Sequence, residues 1–167
     1  MGGICPSYHR GKGSLVFQGV STLNLDAKGR MAIPAKHRDA LADCCASRVV
    51  VTVHPQEHCL WLYPENEWLT IASNLLKLPT MVRQNQLLQR LLLGHASELE
   101  MDGQGRILIS TELREYARLG KKVSLVGQGN KFEIWDASTW AGSREDWLAE
   151  ANDSGSELSE QLAEMVF

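Results

Sequence analysis

Apolar and polar positions along the chain change period several times, and each change marks an element. Val20-Ser21-Thr22-Leu23-Asn24-Leu25 is a β-favouring approach that ends on Asp26-Ala27-Lys28-Gly29. Asp-x-x-Gly is a tight turn: the carboxylate can accept from backbone amides within it, and glycine tolerates positive φ. A strand leaves over Arg30–Ile33, and Pro34 suits the first turn of a short helix in which Leu41 can face inward. Val49–Val53 and Cys59–Tyr63 predict a hairpin around a loop containing Pro55. Leu69, Ala72, Leu75 and Leu76, then Met81, Leu88, Leu91 and Leu92, recur at helical spacing. They predict helices over 64–78 and 80–93, parted by Pro79 and ended by Gly94.

The turn then comes back. Leu25-Asp26-Ala27-Lys28-Gly29-Arg30-Met31-Ala32-Ile33-Pro34 and Met101-Asp102-Gly103-Gln104-Gly105-Arg106-Ile107-Leu108-Ile109-Ser110 share one pattern at an offset of 76 residues. A second landmark follows: Leu60-Trp61-Leu62-Tyr63-Pro64 with Trp68 matches Phe132-Glu133-Ile134-Trp135-Asp136 with Trp140, at an offset of 72. The second copy therefore predicts an approach over His95–Met101 and a strand over Arg106–Ile109. Ser110 or Thr111 suits the N-cap of a helix that turns Leu113 and Leu119 inward. A hairpin follows, closed by Gly127-Gln128-Gly129-Asn130. Asp136 suits the cap of a further helix over 137–149. The expected fold is α+β and β-rich, with one module over 17–68, a helical connector over 69–94, a second module over 95–140 and an acidic helix or tail over 141–167. A module of about 50 residues buries too little surface to be secure alone, so pairing or further oligomerisation is expected.

Charge refines this picture. The formal net charge of −3 argues at first against a nucleic-acid partner, but its distribution matters more than its sum. From residue 133 onward nine acids face Arg144 alone, a net of −8, and residues 1–132 carry +5. A mildly basic body permits contact with DNA. Apolar content of 44% is enough for a core, and the longest apolar stretch, Leu87 to Leu93, is broken by Gln89 and Arg90, so no membrane span is expected. Cys5, Cys44, Cys45 and Cys59 form no C-x-x-C pair and read as reduced structural residues of a cytosolic protein. Residues 1–15 carry four glycines and a proline without periodicity and lack the apolar core of a signal peptide. Val16 is read as the initiating residue, because a valine codon can serve as a bacterial start and Gly13-Ser14 allows a purine-rich ribosome-binding sequence just upstream. The alternative is a disordered native extension or a tag.

With Asp26–Arg30 and Asp102–Arg106 as paired D-x-x-x-R motifs, the sequence resembles the MraZ family, within the AbrB-like swapped-hairpin β-barrel proteins. Leu91-Leu92-Leu93-Gly94-His95-Ala96 and Val126 to Asp136 strengthen the resemblance, which covers residues 16 to about 150. It implies two tandem swapped-hairpin barrel modules and a ring-shaped homo-oligomer, octameric or dodecameric. It also implies a cytoplasmic, nucleoid-associated repressor that binds short direct repeats upstream of the division and cell-wall gene cluster. No cofactor, membrane or small-molecule substrate is implied. Arg30 and Arg106 are the implied DNA contacts. A guanidinium is always charged and can grip phosphate or guanine through two parallel hydrogen bonds. Lys28 adds a phosphate contact in the first copy, where the second has Gln104. Asp26, Gly29, Asp102 and Gly105 are assigned to shaping the turn and orienting its arginine, since an acid repels phosphate. Lys36, Arg38, Arg114, Arg118, Lys121 and Lys122 are candidate secondary charges. Read without the family, D-x-x-x-R has a purely structural alternative: a capped turn whose arginine merely pairs with its aspartate.

Two motifs are declined. His54-Pro55-Gln56-Glu57-His58 fits the H-x-x-E-H zinc-protease pattern, but that chemistry needs a helix and Pro55 sits in the run. Gly127-Gln128-Gly129 lacks the third glycine of a dinucleotide loop. The function that competes with DNA binding is an interaction module that holds a protein partner, with the acidic tail as a possible contact.

Overall fold

The computed structural model describes residues 9–10, 13–14, 16–153 and 164–165. The chain divides into two units, Met1–Ala137 and Ser138–Phe167. At the start of the first, β1 (His9–Arg10) pairs antiparallel with β2 (Gly13–Ser14). Otherwise the expectation of an extension over 1–15 falls outside the described residues. The first repeat then gives β3 (Val20–Asn24), β4 (Arg30–Ala32), α1 (Ala35–Cys45), β5 (Arg48–Val53) and β6 (Leu60–Pro64). Next come the connector helices α2 (Glu65–Leu76) and α3 (Arg83–Leu92). The second repeat gives β7 (Ser97–Glu100), β8 (Arg106–Leu108), α4 (Thr111–Tyr116), β9 (Lys122–Gly127) and β10 (Phe132–Asp136). The last helix, α5 (Ala137–Asp153), belongs almost wholly to the second unit, where the rings of Trp140 and Trp147 meet edge to face at 5.2 Å.

Within the first unit the repeats interlock. Each hairpin pairs as its sequence requires, β5 with β6 and β9 with β10. The outer strands, however, are exchanged: β3 of the first repeat adds to β9 of the second, and β7 of the second adds to β5 of the first. The two hairpins join through β6 and β10, with Glu133 opposite Trp61. One six-stranded sheet results, in the order β3-β9-β10-β6-β5-β7. Among the described residues the barrel that the resemblance implies is not closed: β3 and β7 end the sheet, and β4 pairs with β8 in a separate ribbon.

One face of the sheet carries the core. Leu60, Leu62, Phe132 and Ile134 from the central strands pack on Met31, Ile33, Ile107 and Ile109, so both copies fill one interior. The opposite face of β5 and β6 packs on the connector: Val50, Tyr63, Trp68, Leu75 and Leu92 form a second cluster. The Thr52 hydroxyl donates to the Leu92 carbonyl at 2.7 Å and satisfies an end of α3. The helical spacing of the connector overstates its burial. Leu75 and Leu92 are inside, but Leu69 and Leu76 on α2 are 59% and 71% exposed and Met81 is 93% exposed. A 3.6-residue period marks an apolar stripe without saying whether this chain covers it.

Candidate nucleic-acid interface

Both Asp-x-x-Gly segments form the turn that their residues favour. The Asp26 carbonyl accepts from the Gly29 amide at 3.0 Å, and the Asp102 carbonyl from Gly105 at 2.9 Å. The glycines adopt φ of 86° and 73°, a region that disfavours any Cβ. Each carboxylate caps its turn from inside. Oδ1 of Asp26 accepts from the amides of Lys28 and Arg30 at 2.9 Å, and Oδ1 of Asp102 accepts from those of Gln104 and Arg106 at the same distance. Oδ2 is left for the arginine: Arg30 Nε donates at 2.7 Å and Arg106 Nε at 2.8 Å. Neither guanidinium is locked in the fold, for the two side chains are 32% and 31% exposed. Among the described residues, their terminal nitrogens carry no hydrogen bond. Each aspartate thus fixes one edge of its guanidinium and leaves the far end, the one suited to bidentate contact, presented.

These hydrogen bonds also set the acidity. The Arg30 backbone amide, ahead of its guanidinium, holds the Asp26 carboxyl down at about 2 against an ordinary 3.8. Asp102 is lowered by the equivalent amide of Arg106. A folded-state pKa below the unfolded one means stabilisation that is complete above the ordinary value and lost as pH falls from 3.8 toward about 2. An NMR titration of the Asp26 carboxyl is expected to show a midpoint near 2. In Arg30→Ala the midpoint should recover only partly, because the backbone donors remain. A midpoint at the ordinary value in the intact protein would contradict the capped turn.

Sequence reading had the two motifs on separate modules; the fold brings them together. β4 and β8 are antiparallel, with Arg30 opposite Leu108, Met31 opposite Ile107 and Ala32 opposite Arg106. The ribbon extends one bond at each end, from the Ile33 amide to the Gly105 carbonyl at 2.8 Å and from the Ile109 amide to the Gly29 carbonyl at 3.0 Å. Strand alternation sends Met31 and Ile107 inward, at 0% and 2% exposure, and turns Arg30, Ala32, Arg106 and Leu108 outward. A pseudo-two-fold axis therefore runs through the ribbon, and both arginines stand on its outer face. Lys28 is exposed in the first turn, and Gln104 is exposed in the second.

Two of the candidate surface charges have another role. Arg38 Nε donates to the Ile33 carbonyl, and Arg114 Nε donates to that of Ile109 at 3.0 Å. Each guanidinium then lies against the turn glycine of the other repeat. A Cβ on Gly29 would come within 2.7 Å of Arg114 Cζ, and one on Gly105 within 2.9 Å of Arg38 Cζ. Their signal was in the sequence, since 38 and 114 stand at the same 76-residue offset as the motifs themselves. Lys36, Arg118, Lys121 and Lys122 remain exposed.

Residues 54–59 form a loop and strand entry with no helix, so His54 and His58 do not share a helical face. His54, Glu57 and Cys59 do bring donor atoms within 4.8 Å of one another. His54 Nδ1, however, already accepts from the amides of Gln56 and Glu57 at 3.0 and 3.1 Å. Burial also pushes the Cys59 thiol up from its ordinary value. No helix among the described residues is long and apolar enough to cross a membrane.

Comparison with known proteins agrees with this two-copy architecture. The family model for the MraZ protein, described as antitoxin-like, matches residues 16–91 and again 92–164. "Transcriptional regulator MraZ" of Thioalkalivibrio sulfidiphilus is 53% identical over 139 residues, covering 83% of this chain and 92% of the relative. Proteins of the same name from Halorhodospira halophila and Methylococcus capsulatus are 49% and 47% identical, covering 90% and 91% of this chain and 99% and 100% of their own lengths. With both halves matched in order, the chain belongs to the MraZ family of transcriptional regulators.

Proposed function

We propose that the chain is a sequence-specific DNA-binding transcriptional regulator, a cytoplasmic and nucleoid-associated repressor that docks its β4–β8 ribbon in the major groove. The observation that carries this is the outer face of the ribbon, where Arg30 and Arg106 stand together, each oriented by its own aspartate. A major groove about 12 Å wide admits a two-stranded antiparallel ribbon. Arg30 and Arg106 grip base edges or phosphate, and Lys28 reaches the backbone. The name carried by the relatives supports the regulatory reading. The target proposed is a set of short direct repeats upstream of its own gene, within the division and cell-wall cluster. Several chains act at once in a ring of eight or twelve, and the exposed apolar residues Leu69, Leu76 and Met81 support such self-association. Weak contacts per chain then add through avidity.

Fluorescence anisotropy against duplex DNA from upstream of the gene tests this. Affinity is expected to fall linearly with salt on a log–log plot, because phosphate contacts release counterions. Absence of binding, or binding indifferent to salt, refutes the proposal and favours a protein partner instead.

A further inference from the structure

We infer that Leu108 is a base-reading residue, which contacts the 5-methyl group of a thymine in the major groove within one or two base pairs of the position that Arg30 occupies. This rests on the reading of the ribbon as the DNA-contacting face. Four side chains point outward from the ribbon, and three of them are Arg30, Arg106 and the short Ala32. The fourth, Leu108, is 50% exposed, although its neighbour Ile107 is 2% exposed. A solitary exposed leucine is ordinary on a protein surface. This one is directly opposite Arg30 and two residues from Arg106 on the same face, so it is a neighbour of both arginines.

Its chemistry narrows what it can meet. A leucine side chain makes no hydrogen bond, and the apolar group on the floor of the major groove is the thymine methyl. Directly paired residues hold their Cβ atoms roughly 4.5–5.5 Å apart. The rise per base along one strand is about 3.4 Å. Leu108 therefore reaches the base pair beside the one that Arg30 occupies, or the next. The equivalent residue of the first copy is Ala32, which is too short to follow it into the groove. The pseudo-two-fold axis is broken at this position, and only one half of the ribbon reads the methyl.

The test uses the full chain and the upstream duplex with each thymine replaced in turn by deoxyuridine, which removes only the methyl. One replacement is expected to weaken the wild type about three- to fivefold, as the loss of one buried methyl does. Leu108→Ala should weaken binding to the thymine duplex by at least that factor and become indifferent to that replacement. Leu108→Thr, which retains a methyl group and β propensity, should keep part of the sensitivity. The inference falls if no replacement affects the wild type, or if Leu108→Ala keeps the full penalty while remaining folded by circular dichroism. Arg30→Ala with Arg106→Ala in the same titration separates the two readings. If that variant loses binding and deoxyuridine has no effect, only the leucine contact is wrong. If it binds normally, the ribbon itself is not the interface.

Discussion

Replacing Arg30 and Arg106 together by alanine is expected to lower affinity for the upstream duplex by roughly thirtyfold at the least, since each good bidentate contact contributes about 1–3 kcal/mol of discrimination. Assembly enlarges the effect, because every chain in the array loses both contacts. The fold should survive. Each turn is closed by backbone amides donating to the Asp26 or Asp102 carboxylate, and these do not need the guanidinium. Melting and oligomeric state should therefore stay close to those of the parent protein. The lysine pair separates charge from geometry. Arg30→Lys with Arg106→Lys keeps the positive charge and the salt dependence but lacks the planar fork, so sequence discrimination should drop more than total affinity. A folded double alanine variant with undiminished affinity would remove both arginines from the interface.

What the sequence made legible was local. Asp26, Gly29, Asp102 and Gly105 announce their turns because the requirement for a capping carboxylate and positive φ is met within four residues. Each hairpin was legible for the same reason. The partners of the outer strands were not. The β-favouring run Val20–Asn24 says that a strand forms but does not say that β9 of the other repeat pairs with it. For that reason the two copies read as neighbours, although each completes the other's sheet. Arg38 and Arg114 read only as candidate secondary charges because the glycines that make room for them are 67 and 85 residues away in the chain. Leu69 and Leu76 fit a helical stripe that nothing among the described residues covers. The candidate arginine site was half legible: both residues could be named, but their convergence on one face depends on the β4–β8 pairing.

That pairing predicts that damage to one repeat is felt in the turn of the other. Gly105→Ala is expected to lower Tm by roughly 5–20 °C, given about 2–4 °C per kcal/mol for a chain of this size. Two effects combine. A non-glycine residue at φ 73° costs about 1–2 kcal/mol. The new methyl also displaces the Arg38 guanidinium from its bond to the Ile33 carbonyl, and a hydrogen bond from a charged donor contributes about 1.5–3 kcal/mol. Two further glycines separate these effects. Gly129 has φ of 81° with nothing within 4 Å of its added Cβ, so Gly129→Ala reports the backbone strain alone. Gly103 also has open space around its Cβ and no positive φ, so Gly103→Ala should be tolerated. Combining Gly105→Ala with Arg38→Ala removes the collision but leaves the strain, and the double variant should lose less than its two parents together. Gly29 and Arg114 should repeat this behaviour across the pseudo-two-fold axis, where Arg114 Nη2 is also tied to Thr111 Oγ1 at 3.0 Å. Amide resonances of the Asp26–Arg30 turn should accordingly shift in Arg114→Ala, although residue 114 lies in the second copy. Additive losses, with Gly105→Ala no worse than Gly129→Ala and the first turn unmoved by Arg114→Ala, would mean that each turn stands alone, without support from the opposite repeat.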